Sequence, residues 1–357
     1  MKISTMQKNG WIVLLALASM VALAGCGGSG GAQTGASGGS ASGGRSPVSA
    51  GGGKPALEIA VIPKGTTHEY WKSIHAGAIK AQQELAQKGQ QIHIKWQGPL
   101  EENDKNTQIN IVETFIQQKV NGFVLAPLDS QALVTPVNEA EKAGIPVVIL
   151  DSALNSSNYS SFVATDNKKG GFLAGQALIH LLGGKGRVLM MRYLEGSAST
   201  ADREAGFLQA IQAAKGITLV SSDQYGGASA ETAFQTGQNL MNRFSKNLDG
   251  VFTPNESTTL GMRLALKGVG MLGKVKFVGF DSDPKLIDAL KAHEIQALVV
   301  QNPFKMGEEG VLTVVKVINK QPVPKRIDTG VAVVTPQNMN TPDMVKLLNP
   351  PLDQYLK

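Results

Sequence analysis

Polar residues stand directly after five apolar runs: Asp151 after VVIL, Asp166-Asn167 after FVAT, Asn255-Glu256 after GVFTP, Asp281 after FVGF and Gln301 after ALVV. A carboxylate accepts from two hydroxyls, while Asn and Gln both donate and accept, so the set suits a neutral ligand rich in hydroxyls. Each residue alone is equally a strand-end cap or turn former. The repetition at successive strand ends is the signal. A second constellation, His68-Glu69-Tyr70-Trp71, places two adjacent aromatics where a loop becomes a helix. Their rings could give an apolar face to a ligand's C–H groups or simply pack the helix on a sheet. Catalysis has little to stand on: the five histidines are dispersed, no HExxH occurs, and His68 beside Glu69 is a lone pair. Neither a nucleophile with its base nor a metal-ligand set can be assembled, so no enzyme activity, metal or cofactor is expected.

The elements that must position these residues alternate in type. Leu57, Ile59, Val61 and Ile62 form a strand-like run that Pro63 stops, because proline cannot donate to a sheet ladder. Beyond it, Trp71, Ile74, Ala78 and Leu85 recur at helical spacing. Strands are then expected at 91–96, 122–126, 146–150 and 162–164, with helices at 105–119 and 133–143. The pattern restarts with strands at 186–191, 217–221, 250–252, 276–280 and 297–300 between helices near 170–182, 201–214, 230–243, 258–266 and 284–291. Near-continuous apolar strands, each followed by an amphipathic helix, imply parallel sheets covered on both faces. In such sheets the loops after the carboxyl ends of strands line the ligand crevice. Gly183-Gly184-Lys185-Gly186 follows a helix and precedes a strand, the reverse of a phosphate loop, and reads as a helix C-cap.

The N-terminal 55 residues read differently. Lys2 and Lys8 precede an apolar run from Trp11 to Ala24, short for a membrane span but right for a secretory signal over 1–25. Leu23-Ala24-Gly25-Cys26 looks like the lipobox of bacterial lipoproteins, with cleavage before Cys26 and acylation of its thiol. More than one acyl chain would make that anchor durable. Cys26 is the only cysteine, so no internal disulfide is possible. From 26 to 55 the chain is nearly all Gly, Ser and Ala, a tether spanning on the order of 30 Å. The formal charge of +6 is carried by lysines scattered along helices, and no segment reads as a nucleic-acid-binding motif.

Longer motifs make the comparison specific. Tyr70-Trp71 before KSIHAGA, ILD ending at Asp151, ATDN at 164–167, REAGF at 203–207, VFTPNE at 251–256, VGFD at 278–281 and VVQNPFKMG at 299–307 together resemble the ribose- and galactose-binding receptors, the substrate-binding components of bacterial ABC importers. The resemblance runs from about Leu57 to about Thr335. It implies an α/β fold of two similar lobes, each a parallel sheet flanked by helices, joined by a three-crossing hinge of the type I periplasmic-binding kind. The first lobe is then 56–164 with 302–330, the second 165–301 with 331–357.

By the same resemblance, Tyr70 and Trp71 match stacking aromatics, Asp151, Asn255, Asp281 and Gln301 match the hydrogen-bonding ring, and His68 matches a position that is often Asn. Ser152 stands where an arginine commonly follows the aspartate, and a second ligand arginine falls near Ala201, leaving Arg203 as its neighbour. The second lobe's aromatic has no clear match at Gln224-Tyr225-Gly226-Gly227. The family implies an exported, lipid-anchored monomer that takes up a sugar or similar polyol and hands it to an ABC permease. A sugar sensor that addresses a membrane receptor would use the same binding chemistry. A sugar-responsive transcription regulator shares the fold but needs a helix-turn-helix before the first lobe, where this chain has its leader and tether.

Overall fold

The computed structural model describes residues 56–357; the expected leader, Cys26 and the whole tether lie outside the described residues. The first run of elements is β1 (Leu57–Ile62), α1 (Glu69–Gln87), β2 (Ile92–Trp96), α2 (Lys105–Gln117), β3 (Gly122–Leu125), α3 (Val134–Lys142), β4 (Val147–Leu150) and β5 (Ser161–Ala164). The second is α4 (Asn167–Leu181), β6 (Gly186–Met190), α5 (Ala198–Ala213), β7 (Ile217–Ser221), α6 (Ala230–Phe244), β8 (Gly250–Phe252), α7 (Glu256–Gly268), β9 (Lys276–Phe280), α8 (Pro284–Lys291) and β10 (Ala297–Gln301). The chain closes with α9 (Pro303–Ile318), β11 (Arg326–Asp328), β12 (Val331–Val334), α10 (Pro342–Leu348) and α11 (Leu352–Tyr355).

Two six-stranded sheets result, in the orders β11-β5-β4-β3-β1-β2 and β12-β10-β9-β8-β6-β7, so the two lobes repeat one topology. Each sheet has an apolar core on both faces, which is why β3, β4, β8 and β10 are buried at every position. The chain passes between sheets three times: after β5, after β10 and between β11 and β12. At the first two passages the helix that follows a strand covers the other lobe. The α4 helix leaves β5 of the first sheet but packs against β9 and β10, and α9 leaves β10 but packs against β3 and β4.

Three features depart from the sequence reading. The second sheet is not wholly parallel, because β12 pairs antiparallel with β10 from Leu298–Val334 to Gln301–Val331. The strand ends of the two lobes face each other, so a chain running on from β11 through Thr329-Gly330 enters the second sheet from its carboxyl edge. The α9 helix is not among the helices expected from spacing, although Asn302 caps it and Pro303 occupies its first turn; its TVVKV run is β-branched, which masks the helical spacing. The segment from 331 does not stay with one lobe: α10 packs on β10, but α11 lies on α1 with Tyr355 against Phe304, ring centroids 5.6 Å apart.

Helices of each lobe cross at backbone contact, and glycines make that possible. A Cβ on Gly77 of α1 would lie 1.9 Å from the Phe304 carbonyl oxygen, and one on Gly307 of α9 equally close to that of Ile74. In the second lobe a Cβ on Gly171 of α4 would lie 1.8 Å from the Arg203 carbonyl oxygen. Carbonyls of a packed helix cannot swing aside as side chains do. Gly77→Ala and Gly171→Ala are therefore expected to lower the unfolding free energy by about 1–3 kcal/mol or more. Gly268→Ala, at a helix position with nothing within 4 Å, should raise it by about 0.5–1 kcal/mol. Urea unfolding of the three variants checks both signs.

Candidate ligand-binding site

The carboxyl ends of both sets of strands meet across a narrow cavity with only ≈ 20 Å³ of free space. Lys64, His68, Tyr70, Trp71, Glu102 and Asp151 wall it from the first lobe. Tyr193, Ser199, Thr200, Arg203, Asn255, Glu256, Asp281 and the β10 end residue Gln301 wall it from the second. Of the residues singled out in the sequence, nine line this cavity: His68, Tyr70, Trp71, Asp151, Arg203, Asn255, Glu256, Asp281 and Gln301. Asp166, the exposed cap of α4, and Asn167, which holds Arg203, do not. Nor does Ser152. Its side chain is fully buried behind the wall, where its Oγ accepts from the Ser199 N–H at 3.0 Å and ties the lobes together.

The two aspartates occupy equivalent places. Asp151 follows β4 and Asp281 follows β9, each third in its sheet order. Both have left-handed backbones, φ 61° and 68°, a conformation that aspartate tolerates better than most side chains and that is rare outside turns and functional sites. Asp151 receives the Tyr70 hydroxyl on Oδ1 at 2.7 Å and has the Lys64 ammonium 3.2 Å from Oδ2. Lys64 also donates to Ser197 and Ser199 of the second lobe, at 3.3 and 3.1 Å. The cation absent at position 152 thus arrives from the loop after β1.

Asp281 accepts from Gln301 Nε2 at 2.6 Å on Oδ1 and from the Glu256 N–H at 3.1 Å on Oδ2. Burial pushes its carboxyl above the usual range, and Arg203, with Nη1 3.7 Å away, offsets part of that. Arg203 is held by its own bonds, Nε to Asn167 Oδ1 at 2.8 Å and Nη1 to the Pro254 carbonyl at 2.9 Å, with its guanidinium 4.1 Å above the Phe280 ring. It both positions the wall and belongs to it. Asn255 has a double role too: its Oδ1 accepts from the Thr258 N–H as the cap of α7, while its side chain lines the cavity.

Glu102 organises the aromatic side. Its carboxylate receives Trp71 Nε1 and His68 Nδ1, each at 2.7 Å, and the hydroxyl of Tyr193 at 2.7 Å from the opposite lobe. Burial alone would raise Glu102, but the His68 charge and hydrogen bond, then Lys64 and Tyr193, outweigh it and hold the group at about 2. Burial alone would lower His68, yet Glu102 raises it to about 9, so the imidazole is a cation at neutral pH. Trp71 is packed edge-on against Tyr70, centroids 5.0 Å apart, so it is at once core and wall.

Five wall residues were not singled out in the sequence: Lys64, Glu102, Tyr193, Ser199 and Thr200. Lys64 obeys the same rule as the others, standing just past β1, so it was within reach. Tyr193 supplies the second-lobe aromatic sought at Tyr225, which instead is 41% exposed beneath Arg192. Glu102 sits in the long β2–α2 loop, where spacing gives no clue. A larger recess between α1, α8 and the C-terminal segment is walled by groups such as Leu348, Leu352, Asp283 and Lys291, and none of the paired strand-end aspartates reaches it.

Comparison with known proteins agrees with this geometry. A model of the periplasmic binding protein domain matches residues 59–322. The D-ribose/D-allose-binding protein of Pseudomonas aeruginosa is 31% identical over 289 residues, covering 79% of this chain and 88% of that protein. A solute-binding protein of an ABC transporter from Agrobacterium vitis, solved with bound D-fucose, is 38% identical, with a TM-score of 0.78 over 82% of this chain and 100% of the other. A carbohydrate-transporter solute-binding protein from Agrobacterium radiobacter, solved with D-arabinose, is 32% identical, with a TM-score of 0.79 over 83% and 100%. With its two repeated lobes, its cleft at the strand ends and a family match across most of its length, the chain belongs to the periplasmic binding protein family.

Proposed function

We propose that this protein is the exported receptor of an ABC importer that captures a monosaccharide, or a similar hydroxylated solute, between its two lobes. The observation that carries the reading is the lining of the cavity between the lobes, with carboxylates and amides from both sides and three aromatic rings in its wall. Carboxylates and amides satisfy hydroxyls in fixed directions, and aromatic faces cover the C–H side of a sugar ring. Neither lobe completes the set alone. A ligand that touches both therefore has higher affinity for the closed arrangement, which is what shifts the population toward closure. The lobes proposed are 56–164 with 302–330 and 165–301 with the segment from 331, whose last helix α11 reaches back to α1 of the first lobe, and rotation is absorbed at the three passages between sheets. The permease then recognises the closed pair of lobes, presented by a monomer.

The relatives' ligands set the first trial compounds: D-ribose, D-allose, D-arabinose and D-fucose. A ligand present at a hundredfold its Kd adds about 2.7 kcal/mol of stability, so the right sugar should raise Tm by about 5 °C or more. Calorimetry should then find binding weakened about tenfold to a hundredfold by Asp281→Asn, which turns an acceptor of sugar hydroxyls into a mixed donor, and by Trp71→Ala, which removes an aromatic wall. Parent-like affinity in both variants, with the fold intact, moves the site elsewhere.

We further propose that the protein is acylated at Cys26 and anchored to a membrane, a reading supported by the basic, apolar and Leu-Ala-Gly-Cys sequence of its first 26 residues. Expressed in a bacterial host, the parent should partition into detergent and Cys26→Ala into the aqueous phase. Equal partitioning of the two rules out the anchor.

A further inference from the structure

Most helices in this fold carry their own N-terminal cap. Asp104, Asp166, Ser229, Asn255, Asp283 and Asn302 each accept a backbone N–H of the helix they begin. The α1 helix is different. His68, its N-cap residue, makes no side-chain cap bond and is committed to Glu102. The first N–H groups of α1 are instead received by a side chain of the opposite lobe: Glu256 Oε1 accepts from Glu69 at 3.2 Å and Oε2 from Tyr70 at 3.1 Å. Glu256 is the first residue of α7, is 4% exposed, and is fixed from behind by its own N–H on Asp281.

We infer that Glu256 is the latch of the cleft, a positioning residue that caps α1 only while the lobes are together and so favours closure through protein contacts alone. This rests on reading the cleft as a site that closes around its ligand. Parting the lobes strips the acceptor from two helix N-terminal donors and returns the carboxyl to water. Tyr70, one of the two residues held, is also the one that donates to Asp151 and lines the cavity. The latch therefore sets the aromatic side of the site as well as the lobe spacing.

A latch made of a buried carboxylate is sensitive to pH. The groups facing Glu256 are His68 from the loop before α1, Glu69 at the start of α1, Asp281 at the end of β9, Asp283 before α8, and Arg203 of α5, which holds the neighbouring Pro254 carbonyl. Burial raises the Glu256 carboxyl to about 7, against the lowering by His68 and the Tyr70 N–H. A carboxyl raised on closure favours the closed form while it is protonated, and that contribution is lost as pH rises through the raised value. His68, also raised in the closed form, makes its main loss above its ordinary value, so it contributes little between pH 5 and pH 6. Over that interval Glu256 alone should lower the closed-to-open ratio about fivefold to tenfold.

The test measures lobe spacing directly in the full chain. Spin labels are placed at Asn103→Cys and Asp223→Cys, exposed residues in the loops after β2 and β7 on opposite lobes, in a Cys26→Ser background. Without sugar, the short-distance population should shrink from pH 5 to pH 6 in the parent. It should be small at both values in Glu256→Ala, and clearly less sensitive to pH in Glu256→Gln, which keeps one acceptor and has no proton to lose, the remainder coming from Asp281 and Asp283. Circular dichroism confirms that each variant is folded. A parent-like distribution in Glu256→Ala, or a pH response in Glu256→Gln as large as the parent's, overturns the latch. D-Allose, D-arabinose and D-fucose are then added to the parent. Failure of all three to shorten the distance counts against the sugar reading of the cleft, while the latch is judged on the sugar-free arm.

Discussion

Four carboxylates, Glu102, Asp151, Glu256 and Asp281, are buried where the two lobes meet, and an ionised carboxylate cannot remain in such a place without partners. That requirement organises the whole interface. Glu102 is satisfied by His68 and Trp71 of its own lobe and by Tyr193 of the other. Asp151 is paired with Lys64, whose remaining bonds reach Ser197 and Ser199 across the cleft. Glu256 finds its donors only on the opposite lobe, at the start of α1. The relative position of the lobes is thereby specified by bonds that the buried carboxylates can make only while the lobes are together.

The chain's path makes such an interface adjustable. The lobes repeat one strand order, yet their helices are exchanged at the crossings, with α4 covering the sheet that β5 does not belong to and α9 doing the reverse. Each lobe thus contains segments from both halves of the sequence and is held by glycine-mediated contact, α1 on α9 and α4 on α5, where no side chain separates the backbones. Tight packing within lobes and short connections between them put the freedom of movement at the connections. The loops that carry the site lie at the carboxyl ends of strands in both sheets, so each lobe brings its own part of the wall.

The chemistry of the wall follows from the same arrangement. Lys64, Arg203 and the cationic His68 sit among the carboxylates rather than beside empty space, so the cavity presents paired charges and amides to a ligand. A neutral solute with many hydroxyls can exchange hydrogen bonds with such a surface without bringing a charge that would have to be desolvated. The positions where the ribose-type pattern has arginines are occupied differently: Ser152 bridges the lobes behind the wall, and the cation on Asp151 comes from Lys64. A pocket with one acid–lysine pair in place of an arginine fork offers donors in other directions, because an ammonium is a point charge and a guanidinium a planar fork.

By itself, the sequence determined the alternation of strand and helix, the restart that makes two lobes, and the rule that polar residues just past apolar strands form the site. These are local properties: Pro63 ending β1, the buried runs VVIL and ALVV, and the spacing of Trp71, Ile74 and Ala78 are each legible within a dozen residues. Asp151, Asn255, Glu256, Asp281 and Gln301 followed from that rule, whereas His68, Tyr70, Trp71 and Arg203 came from the start of α1 and from the family resemblance. Only the tertiary structure decided what those residues are bonded to. Glu102 lies in a loop with no periodic signal, Tyr193 reaches it from 91 residues away, and Glu256 caps a helix 186 residues earlier in the chain. The antiparallel setting of β12 likewise depends on how two sheets face each other. Burial and pairing across an interface are properties of two surfaces brought together, and neither surface carries the other's partner in its own spacing.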